Sequence, residues 1–249
     1  MTNVVLVVVA HPDDAEIAMG MRIRDHARRG AHVRVHCLTT GSPGPAQQAP
    51  RRKECLAAGA VLGIAEYSFS EIPDTRFTDH RGQINTDLFT VFRETRPDTV
   101  YTHFPQDQHL DHSVTANEVT AVALREADNL RYFRSPYSTG FEPTEIFVGT
   151  PELLDTKAQA LRCFTSQQQL DMDLYRRTTQ IAHRQHVHHR IVERFPPGWN
   201  CAELFRTERN IVFADQTTPE VTDAGPPSGR PSSPGARQSN QRPSGHQTC

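Results

Sequence analysis

This 249-residue sequence lacks the features that define several large protein classes. Its five cysteines are widely spaced and contain no C-x-x-C pair, which excludes the common zinc-knuckle and dithiol redox sites. Scattered cysteines in odd number are typical of reduced thiols, so we expect a cytoplasmic protein. The 27 basic and 29 acidic residues leave a formal net charge of -2, and such a charge does not attract nucleic acid.

Two further absences concern the first apolar segment and the turn that follows it. The run from Val4 to Ala10 is too short to cross a bilayer, so we expect no membrane association. The sequence contains no G-x-G-x-x-G and no Walker-type phosphate loop. A nucleotide-binding Rossmann module is therefore not favoured, because His-Pro-Asp-Asp occupies the turn where its glycines would stand.

Short apolar runs alternate with amphipathic stretches over the first two hundred residues, a pattern typical of β-α-β units. The runs that predict strands are 4–9, 32–38, 99–103, 130–133 and 145–148. The stretches that predict helices are 17–29, 51–62, 87–94, 111–126, 151–164 and 170–187. The fold class predicted from this alternation is α/β, with a Rossmann-like, open, mostly parallel sheet flanked by helices.

The last part of the chain differs in composition from the rest. Residues 216–249 are rich in Pro, Ser, Gly and Arg, and after Val221 they contain no large apolar residue. Such a segment cannot bury enough surface to offset the entropy lost on ordering. We therefore predict one domain over residues 1–215 and a disordered tail over residues 216–249.

The first candidate site follows the first predicted strand directly. His11, Asp13 and Asp14 come after the apolar run and before a predicted helix. In open α/β sheets, ligands bind outside the carboxyl ends of the strands, so an imidazole and two carboxylates stand at the expected place. One aspartate can bind a metal ion while the other faces the substrate; alternatively, one of them caps the following helix.

The second candidate site follows the strand predicted at 99–103 and lies at the same edge of the sheet. His109 and His112 are three residues apart and share a helix face, while Asp111 is either a helix cap or an acceptor behind a metal ligand. His11, Asp14 and His112 make a set of two histidines and one carboxylate that leaves a coordination position open for water. Such a set suits zinc, and it also suits ferrous iron or another divalent metal.

The two motifs together resemble those of the PIG-L/LmbE-like family of metal-dependent de-N-acetylases. Weaker similarities extend over roughly residues 4–213 and exclude the tail. The resemblance implies that His11, Asp14 and His112 bind zinc. It also implies that Asp13 is the general base and that His109 assists at the tetrahedral centre. The motifs that carry the resemblance are Ala10-His11-Pro12-Asp13-Asp14-Ala15-Glu16 and His109-Leu110-Asp111-His112.

The resemblance implies removal of an N-acetyl group from an amino sugar, an aminoglycoside or a glycosylated intermediate of antibiotic biosynthesis. A metal-activated water attacks the acetyl carbonyl, Asp13 takes its proton, and His109 stabilises the oxyanion or protonates the leaving amine. The partner is a small N-acetylated molecule, and a homo-oligomer is possible. Two alternatives are an amidase of a thiol-sugar conjugate and a noncatalytic metal-binding relative. The presence of both Asp13 and His109 favours catalysis.

The substrate pocket is predicted at three polar loops that follow strand-like segments, namely residues 43–50, 74–83 and 134–143. Arg51, Asp74 and Arg76 are candidates for binding sugar hydroxyls. For Arg51 the alternative is a simple ion pair with Glu54 on one helix face.

Two features depart from the family pattern. Met19-Gly20-Met21 stands where many relatives have Gly-Gly-Thr, which predicts altered packing behind the site. The spacing of His183, His186, His188 and His189 is compatible with a metal site or an acceptor pocket, but a solvated helix face is favoured.

Overall fold

The computed structural model of the protein describes residues 3–41, 45–168 and 170–213. In these segments seven strands alternate with seven α-helices and one 3-10 helix. The strands are β1 (Val4–Val9), β2 (His32–Cys37), β3 (Glu66–Phe69), β4 (Thr99–His103), β5 (Asn129–Phe133), β6 (Glu145–Gly149) and β7 (Cys201–Asn210). The helices are α1 (Asp14–Arg28), α2 (Pro45–Leu62), the 3-10 helix (Phe77–His80), α3 (Arg81–Thr95), α4 (Leu110–Glu126), α5 (Pro151–Leu161), α6 (Met172–His186) and α7 (His189–Val192).

The strands form one sheet in the order β3-β2-β1-β4-β5-β7-β6. The first five strands in this order pair in parallel, whereas β7 runs antiparallel to both β5 and β6. The predicted open, mostly parallel α/β sheet is confirmed.

The continuous apolar run of β1 is explained by burial on both faces of the sheet. Val5, Val7 and Val9 point into one core cluster, and the alternate residues Leu6 and Val8 point into the other. A central parallel strand covered by helices on both faces is expected to be apolar throughout.

The sheet order also determines where a site can form. β1 lies between β2 and β4, and the chain leaves the carboxyl ends of β1 and β4 toward helices α1 and α4. This is the point at which the strand order reverses, where open α/β sheets bind their ligands. Both histidine-containing motifs follow these two strands.

Two strands were not predicted from the sequence, and each has a physical reason. β3 is only four residues long and carries little periodicity. β7 places Glu203 in a buried position, which no local apolar pattern predicts. The buried carboxylate is stabilised by partners more than forty residues away in sequence, and only the fold brings them together.

Two of the predicted loops are partly helical. The prediction of a loop at 43–50 was wrong over 45–50, because α2 begins at Pro45. Proline is tolerated in the first helical turn, and Pro50, further along, removes one backbone hydrogen bond without ending the helix. Within the predicted loop 74–83, Phe77–His80 form the 3-10 helix and α3 begins at Arg81.

A kink in α1 explains the unusual Met19-Gly20-Met21 segment. Met19 has nonhelical backbone angles (φ −143°, ψ 26°), and the N–H groups of Met21 and Arg22 donate to the carboxylate of Glu203 at 3.0 and 2.8 Å. Lys157 Nζ donates to the same carboxylate at 2.7 Å. A buried ion pair thus supports the helix from behind the site, and the expected difference in packing from relatives stays a prediction.

The predicted tail, residues 216–249, lies outside the described residues, so its disorder and the boundary at residue 215 stay predictions. Within the described segments, no helix combines a bilayer-spanning length with an apolar composition.

A buried histidine in β2 makes the free energy of unfolding depend on pH. His36 Nδ1 lies 2.9 Å from Ser68 Oγ and Nε2 lies 3.1 Å from Ser70 Oγ. Burial, with a smaller contribution from the positive charge of Arg34, lowers the pKa of His36 from 6.5 to about 3. Between these pH values the unfolded chain binds a proton at His36 that the folded chain does not bind. The free energy of unfolding therefore falls as the pH falls, by ~1.4 kcal/mol per pH unit.

We expect His36→Gln to reduce this acid sensitivity. Urea unfolding of the wild type and the variant between pH 6.5 and 4.5 measures the slope, and the variant is expected to lose ~1 kcal/mol per pH unit of it. His32→Gln, at the exposed first residue of the same strand, is the matched control and should keep the wild-type slope. Equal slopes in wild type and His36→Gln would contradict the assignment.

Candidate active site

The loops that leave β1 and β4 meet at a pocket of about 320 Å³. The walls of this pocket, called the catalytic pocket below, contain all five residues that the two motifs predicted for metal binding and catalysis. These residues are His11, Asp13, Asp14, His109 and His112. Residues one hundred positions apart thus lie side by side, because β1 and β4 are neighbours in the sheet.

The Asp14 carboxylate lies between two imidazoles. Its Oδ2 is 3.4 Å from His11 Nδ1, and its Oδ1 is 3.5 Å from His112 Nε2. Burial alone raises the pKa of Asp14, but the nearby charges of His112 and His103 outweigh burial and hold this pKa well below its usual range. Each oxygen of the Asp14 carboxylate therefore lies near one ring nitrogen of a histidine.

The outer nitrogen of each of these two imidazoles contacts a carboxylate. His11 Nε2 lies 3.2 Å from Asp74 Oδ1 and 3.4 Å from Asp111 Oδ2, and His112 Nδ1 lies 3.3 Å from Asp107 Oδ1. Histidines that bind metal ions commonly place the second ring nitrogen against a carboxylate, which orients the ring and sets its tautomer. Asp111 is thus the acceptor behind His11 that the sequence allowed.

The charges around the two histidines raise their pKa values. Burial by itself lowers the pKa of His11, but three surrounding carboxylates, first that of Asp111, outweigh it and raise the pKa well above 6.5. Burial likewise opposes protonation of His112, but Asp14 and Asp107 raise its pKa to about 9. The pocket is thus an electronegative site that attracts positive charge.

The donor atoms fit a divalent cation. Three overlapping sets of side chains place their ligand atoms within 4.8 Å of one another. None of these sets of described residues contains the whole predicted triplet: His11 and His112 belong to the first set, and Asp14 and His112 to the second, so the triplet stays a prediction. Nitrogen and oxygen donors without a thiolate suit zinc or ferrous iron. The sets are His11, His109 and His112; Asp14, His103 and His112; and His11, Asp74 and Asp111.

Asp13 has an unusual backbone and no structural partner for a capping role. Its φ of 90° and ψ of −21° lie in the left-handed region, and its side chain makes no capping hydrogen bond to α1. The Asp14 carboxylate accepts instead from the backbone N–H of His11 at 2.7 Å. The helix-cap alternative for these aspartates was therefore wrong. A left-handed non-glycine residue costs about 1–3 kcal/mol, a strain that is concentrated at functional sites.

The electrostatics of Asp13 differ from those of Asp14. Burial, together with the negative charge of Asp14 beside it, raises the pKa of Asp13 to about 7. Two adjacent carboxyl groups thus have pKa values shifted in opposite directions, a pattern that often separates a proton-transferring group from a charged one.

His109 is the N-cap residue that precedes α4, and its side chain lines the catalytic pocket. The ring stacks on that of His112 at 4.5 Å and lies edge-on to that of His11 at 4.8 Å between centroids. Burial and the charges of His11 and His112 lower its pKa. Within the described residues its buried Nδ1 has no hydrogen-bond partner.

The three residues predicted to bind sugar hydroxyls have different environments. Arg51 lines the catalytic pocket and donates from Nη2 to the carbonyl of Pro12 at 3.3 Å, so it also supports the turn before Asp13. Asp74 lines the pocket too, in contact with His11. Arg76 is not among the described residues that line it; its guanidinium is two-thirds exposed and lies 2.9 Å from Asp79.

The alternative reading of Arg51, a pair with Glu54, describes only a weak contact. The Arg51 and Glu54 side chains are 4.0 Å apart, and Glu54 accepts shorter bonds from the backbone and side chain of Ser166, each at 2.7 Å.

Three residues of the catalytic pocket were given no role by the sequence reasoning. The buried His103 ring stacks on His112 at 4.0 Å, and its Nε2 lies 3.3 Å from Asp14 Oδ2. It ends β4, so the strand-end rule that selected His109 also applies to it. Tyr137 lies in the β5–β6 loop, within the predicted pocket loop 134–143, whereas Tyr175 comes from α6, which no sequence signal connected with the pocket.

The histidine cluster near the end of α6 does not assemble. His183 is buried, whereas His186, His188 and His189 are exposed. None of the metal-compatible sets found among the described residues includes any of them. The favoured expectation of a solvated surface fits three of the four.

Comparison with known proteins extends these observations. Residues 6–123 match the family described as PIG-L, GlcNAc-PI de-N-acetylase. The chain is 27% identical over 224 residues to the diacetylchitobiose deacetylase of Thermococcus kodakarensis, which covers 78% of this chain and 83% of that protein.

Two solved structures share the fold. GalB, the 4-carboxy-2-hydroxymuconate hydratase of Pseudomonas putida KT2440, has a TM-score of 0.71 and 22% identity, covering 86% of this chain and 99% of GalB. The zinc-inhibited form of the teicoplanin deacetylase Orf2 has a TM-score of 0.63 and 20% identity, covering 82% of this chain and 97% of Orf2.

The fold is therefore compatible with more than one reaction, since one of these proteins is a hydratase and the other a deacetylase. The diacetylchitobiose deacetylase is a relative detected by sequence, and the match of residues 6–123 contains most of β1 and both histidine motifs. By these motifs, this match and this fold, residues 6–123 of the chain resemble the PIG-L family of LmbE-like de-N-acetylases.

Proposed function

We propose that the protein is a metal-dependent hydrolase that removes the N-acetyl group from an amino sugar, an aminoglycoside or a glycosylated secondary metabolite. One observation carries the proposal. His11 and His112 face the Asp14 carboxylate with one ring nitrogen each, while their outer nitrogens contact carboxylates, and the uncapped Asp13 stands beside them. The deacetylase relatives support the same reaction class.

The proposed metal is zinc, held by His11, Asp14 and His112, with Fe²⁺ or another divalent ion as the alternative. When bound, such an ion supplies Lewis acidity toward the acetyl carbonyl and toward a water molecule. The structurally similar teicoplanin deacetylase Orf2 has a zinc-inhibited form, so zinc acts on that protein. This supports zinc as the candidate metal here.

The chain's own residues supply the proton transfers. Asp13 accepts the proton of the attacking water, since its carboxyl lies in the pocket and makes no capping bond to α1. His109 donates from its ring to the oxyanion of the tetrahedral centre or to the leaving nitrogen. Asp107 orients the ring of His112, and Asp111 orients the ring of His11.

The polar walls of the pocket support the proposed substrate class. Arg51, Asp74 and the backbone near Gly41 provide polar groups beside the two histidines. A sugar presents several hydroxyl groups that such a wall can hydrogen-bond. The alternatives are an amidase of a thiol-sugar conjugate and a noncatalytic metal-binding relative. A cytoplasmic location and a homo-oligomeric state stay predictions.

Acetate release tests the proposed function. Metal-stripped protein is incubated with N-acetylglucosamine, diacetylchitobiose, N-acetylated aminoglycosides and an amide of a thiol-sugar conjugate, with and without added Zn²⁺ or Fe²⁺. For the thiol-sugar amide the free amine is measured, because its hydrolysis releases a thiol-bearing carboxylic acid rather than acetate. We expect metal to increase acetate release by roughly 100-fold or more, because Lewis-acid stabilisation contributes several kcal/mol.

Each other outcome contradicts part of the proposal. Equal acetate release in excess chelator would show that the reaction does not need a metal ion. Cleavage of only the thiol-sugar amide would show that the protein is an amidase of a thiol-sugar conjugate and not a deacetylase. A chain that binds one metal ion and cleaves no member of the panel would be the noncatalytic relative.

A further inference from the structure

A second cavity of about 440 Å³ lies next to the catalytic pocket and is called the annex below. Its volume is in the range of small-molecule sites. The annex lies between α6, β7 and the first turn of α1, within the compact unit Met1–Val212. Much of its wall is apolar, with contributions from Ile17, Leu174, Ala182 and Leu204.

The annex adjoins the catalytic pocket and shares part of its wall. Six residues line both cavities, and they come from the first turn of α1, from the β5–β6 loop and from α6. Ile17 and Ala18 follow Asp13 and Asp14 within one helical turn, so the shared wall begins beside the proposed catalytic groups. The shared residues are Ile17, Ala18, Ser135, Pro136, Tyr137 and Tyr175.

Hydroxyl groups of the annex wall are already paired inside the protein. Ser135 Oγ donates to the Asp107 carboxylate. Thr178 Oγ1 donates to the carbonyl of Leu174 at 2.8 Å, and Thr179 Oγ1 donates to that of Arg176 at 2.8 Å. These three hydroxyl groups gain little by bonding a ligand. The other hydroxyl groups of the described wall belong to Tyr137 and Tyr175, which also line the catalytic pocket.

The charges at the floor of the annex cancel. Lys157 and Glu203 both line it, are buried, and form an ion pair of 2.7 Å. The Glu203 oxygens also accept the two backbone N–H groups of α1. The other charged residue of the described lining, Arg134, is exposed. An anionic or cationic ligand would thus find no unpaired buried partner.

We propose that the annex binds an apolar alkyl or aryl substituent of the substrate while the scissile amide lies in the catalytic pocket. The inference rests on the proposed function for the reaction, but the annex itself is argued from its own walls. Such a substituent belongs either to the acyl group that is removed or to the aglycone of the sugar. The shared chemistry is an apolar chain attached to an amino sugar.

Two substrate series test the proposal and separate the two sources. One series lengthens the acyl group of N-acylglucosamine from acetyl to octanoyl, and the other lengthens the aglycone of alkyl N-acetylglucosaminides from methyl to octyl. We expect kcat/KM to rise at least tenfold from the shortest to the longest member of one series. Full burial of each methylene corresponds to about fourfold. The series that rises identifies the source.

A variant with a large side chain in the annex tests whether the annex causes the chain-length dependence. Thr178 lies on the exposed side of α6 and lines the annex but not the catalytic pocket. In Thr178→Phe the ratio of kcat/KM between the longest and shortest substrates should fall toward one. Thr86→Phe on α3 is the matched control, because Thr86 is also exposed and donates its hydroxyl to the carbonyl four residues earlier. It should keep the wild-type ratio.

Direct binding keeps the inference independent of turnover. Calorimetric titration with octyl and methyl N-acetylglucosaminide and with N-octanoyl and N-acetylglucosamine gives the same comparison without catalysis. In one outcome, an octyl or octanoyl ligand binds more tightly than its short counterpart although no substrate is cleaved. If Thr178→Phe removes this difference in affinity, the result supports ligand binding in the annex and contradicts the proposed deacetylase activity. A flat chain-length dependence in both series, or a rise that Thr178→Phe leaves intact, overturns the annex.

Discussion

Replacement of Asp13 by asparagine is expected to lower kcat for acetate release by ~10²–10⁴-fold, the usual contribution of a general base. Metal content should not change, because Asp14 and the two inner histidines are retained. Asparagine is the appropriate substitution, since it tolerates the left-handed backbone that Asp13 adopts and removes only the proton-accepting carboxylate. Steady-state kinetics and metal analysis of the same preparation measure both quantities.

The matched control for this experiment is Asp155→Asn. Asp155 lies on α5, its side chain is more than half exposed, and it contacts Arg176 at the surface. The control variant should retain wild-type kcat. A kcat of Asp13→Asn within about twofold of the wild type would remove Asp13 from the mechanism, whereas a simultaneous loss of metal would make it a ligand.

His112→Ala is expected to lose metal and activity together. His112 contributes Nε2 to the donor set, and its other ring nitrogen contacts Asp107. Loss of an outer partner usually lowers metal affinity 10–100-fold, so we expect loss of a direct ligand to cost more than about 100-fold. Zinc per chain after dialysis, measured beside acetate release, should fall below about one tenth of the wild-type value.

The control for this substitution is His186→Ala, at an exposed position of α6. It should retain both metal and activity. Because the His112 ring packs between those of His103 and His109, the thermal midpoint of His112→Ala is measured as well. A folded His112→Ala protein that keeps full zinc occupancy would refute the ligand assignment and favour a set without His112.

The two variants separate chemistry from metal binding. Asp13 and Asp14 are adjacent in sequence, but their carboxyl groups have pKa values shifted in opposite directions. The left-handed backbone at Asp13 is what allows the neighbouring side chains to serve different purposes. A glycine at position 13 would relieve the backbone strain without restoring the carboxylate, so its kcat should stay as low as that of Asp13→Asn.

The sheet was predictable to the extent that its strands are buried on both faces. β1 and β4 are covered by helices on both sides, so every residue must be apolar or tightly packed and the run is visible in the sequence. β3 and β7 were missed because one is very short and the other contains a buried glutamate. The helical start at Pro45 was missed because proline is more often found in loops.

The proposed catalytic residues were predictable because they follow the ends of strands. His11, Asp13 and Asp14 come directly after β1, and His109 and His112 come shortly after β4. A parallel sheet brings such segments to one edge whatever lies between them. By contrast, Arg76 was expected in the pocket from its loop, but a contact with Asp79 holds its side chain in solvent.

The amino-acid sequence by itself determines which strands are buried and which side chains follow the ends of these strands. Each of these two features depends on residues that are close together in the chain. Tertiary structure alone decides that Asp107 and Asp111 lie behind the two histidines and that Asp13 caps no helix. It also creates the annex, whose walls come from α1, α6 and β7. Those contacts join residues far apart in the chain, and their free energy appears only when the sheet has assembled.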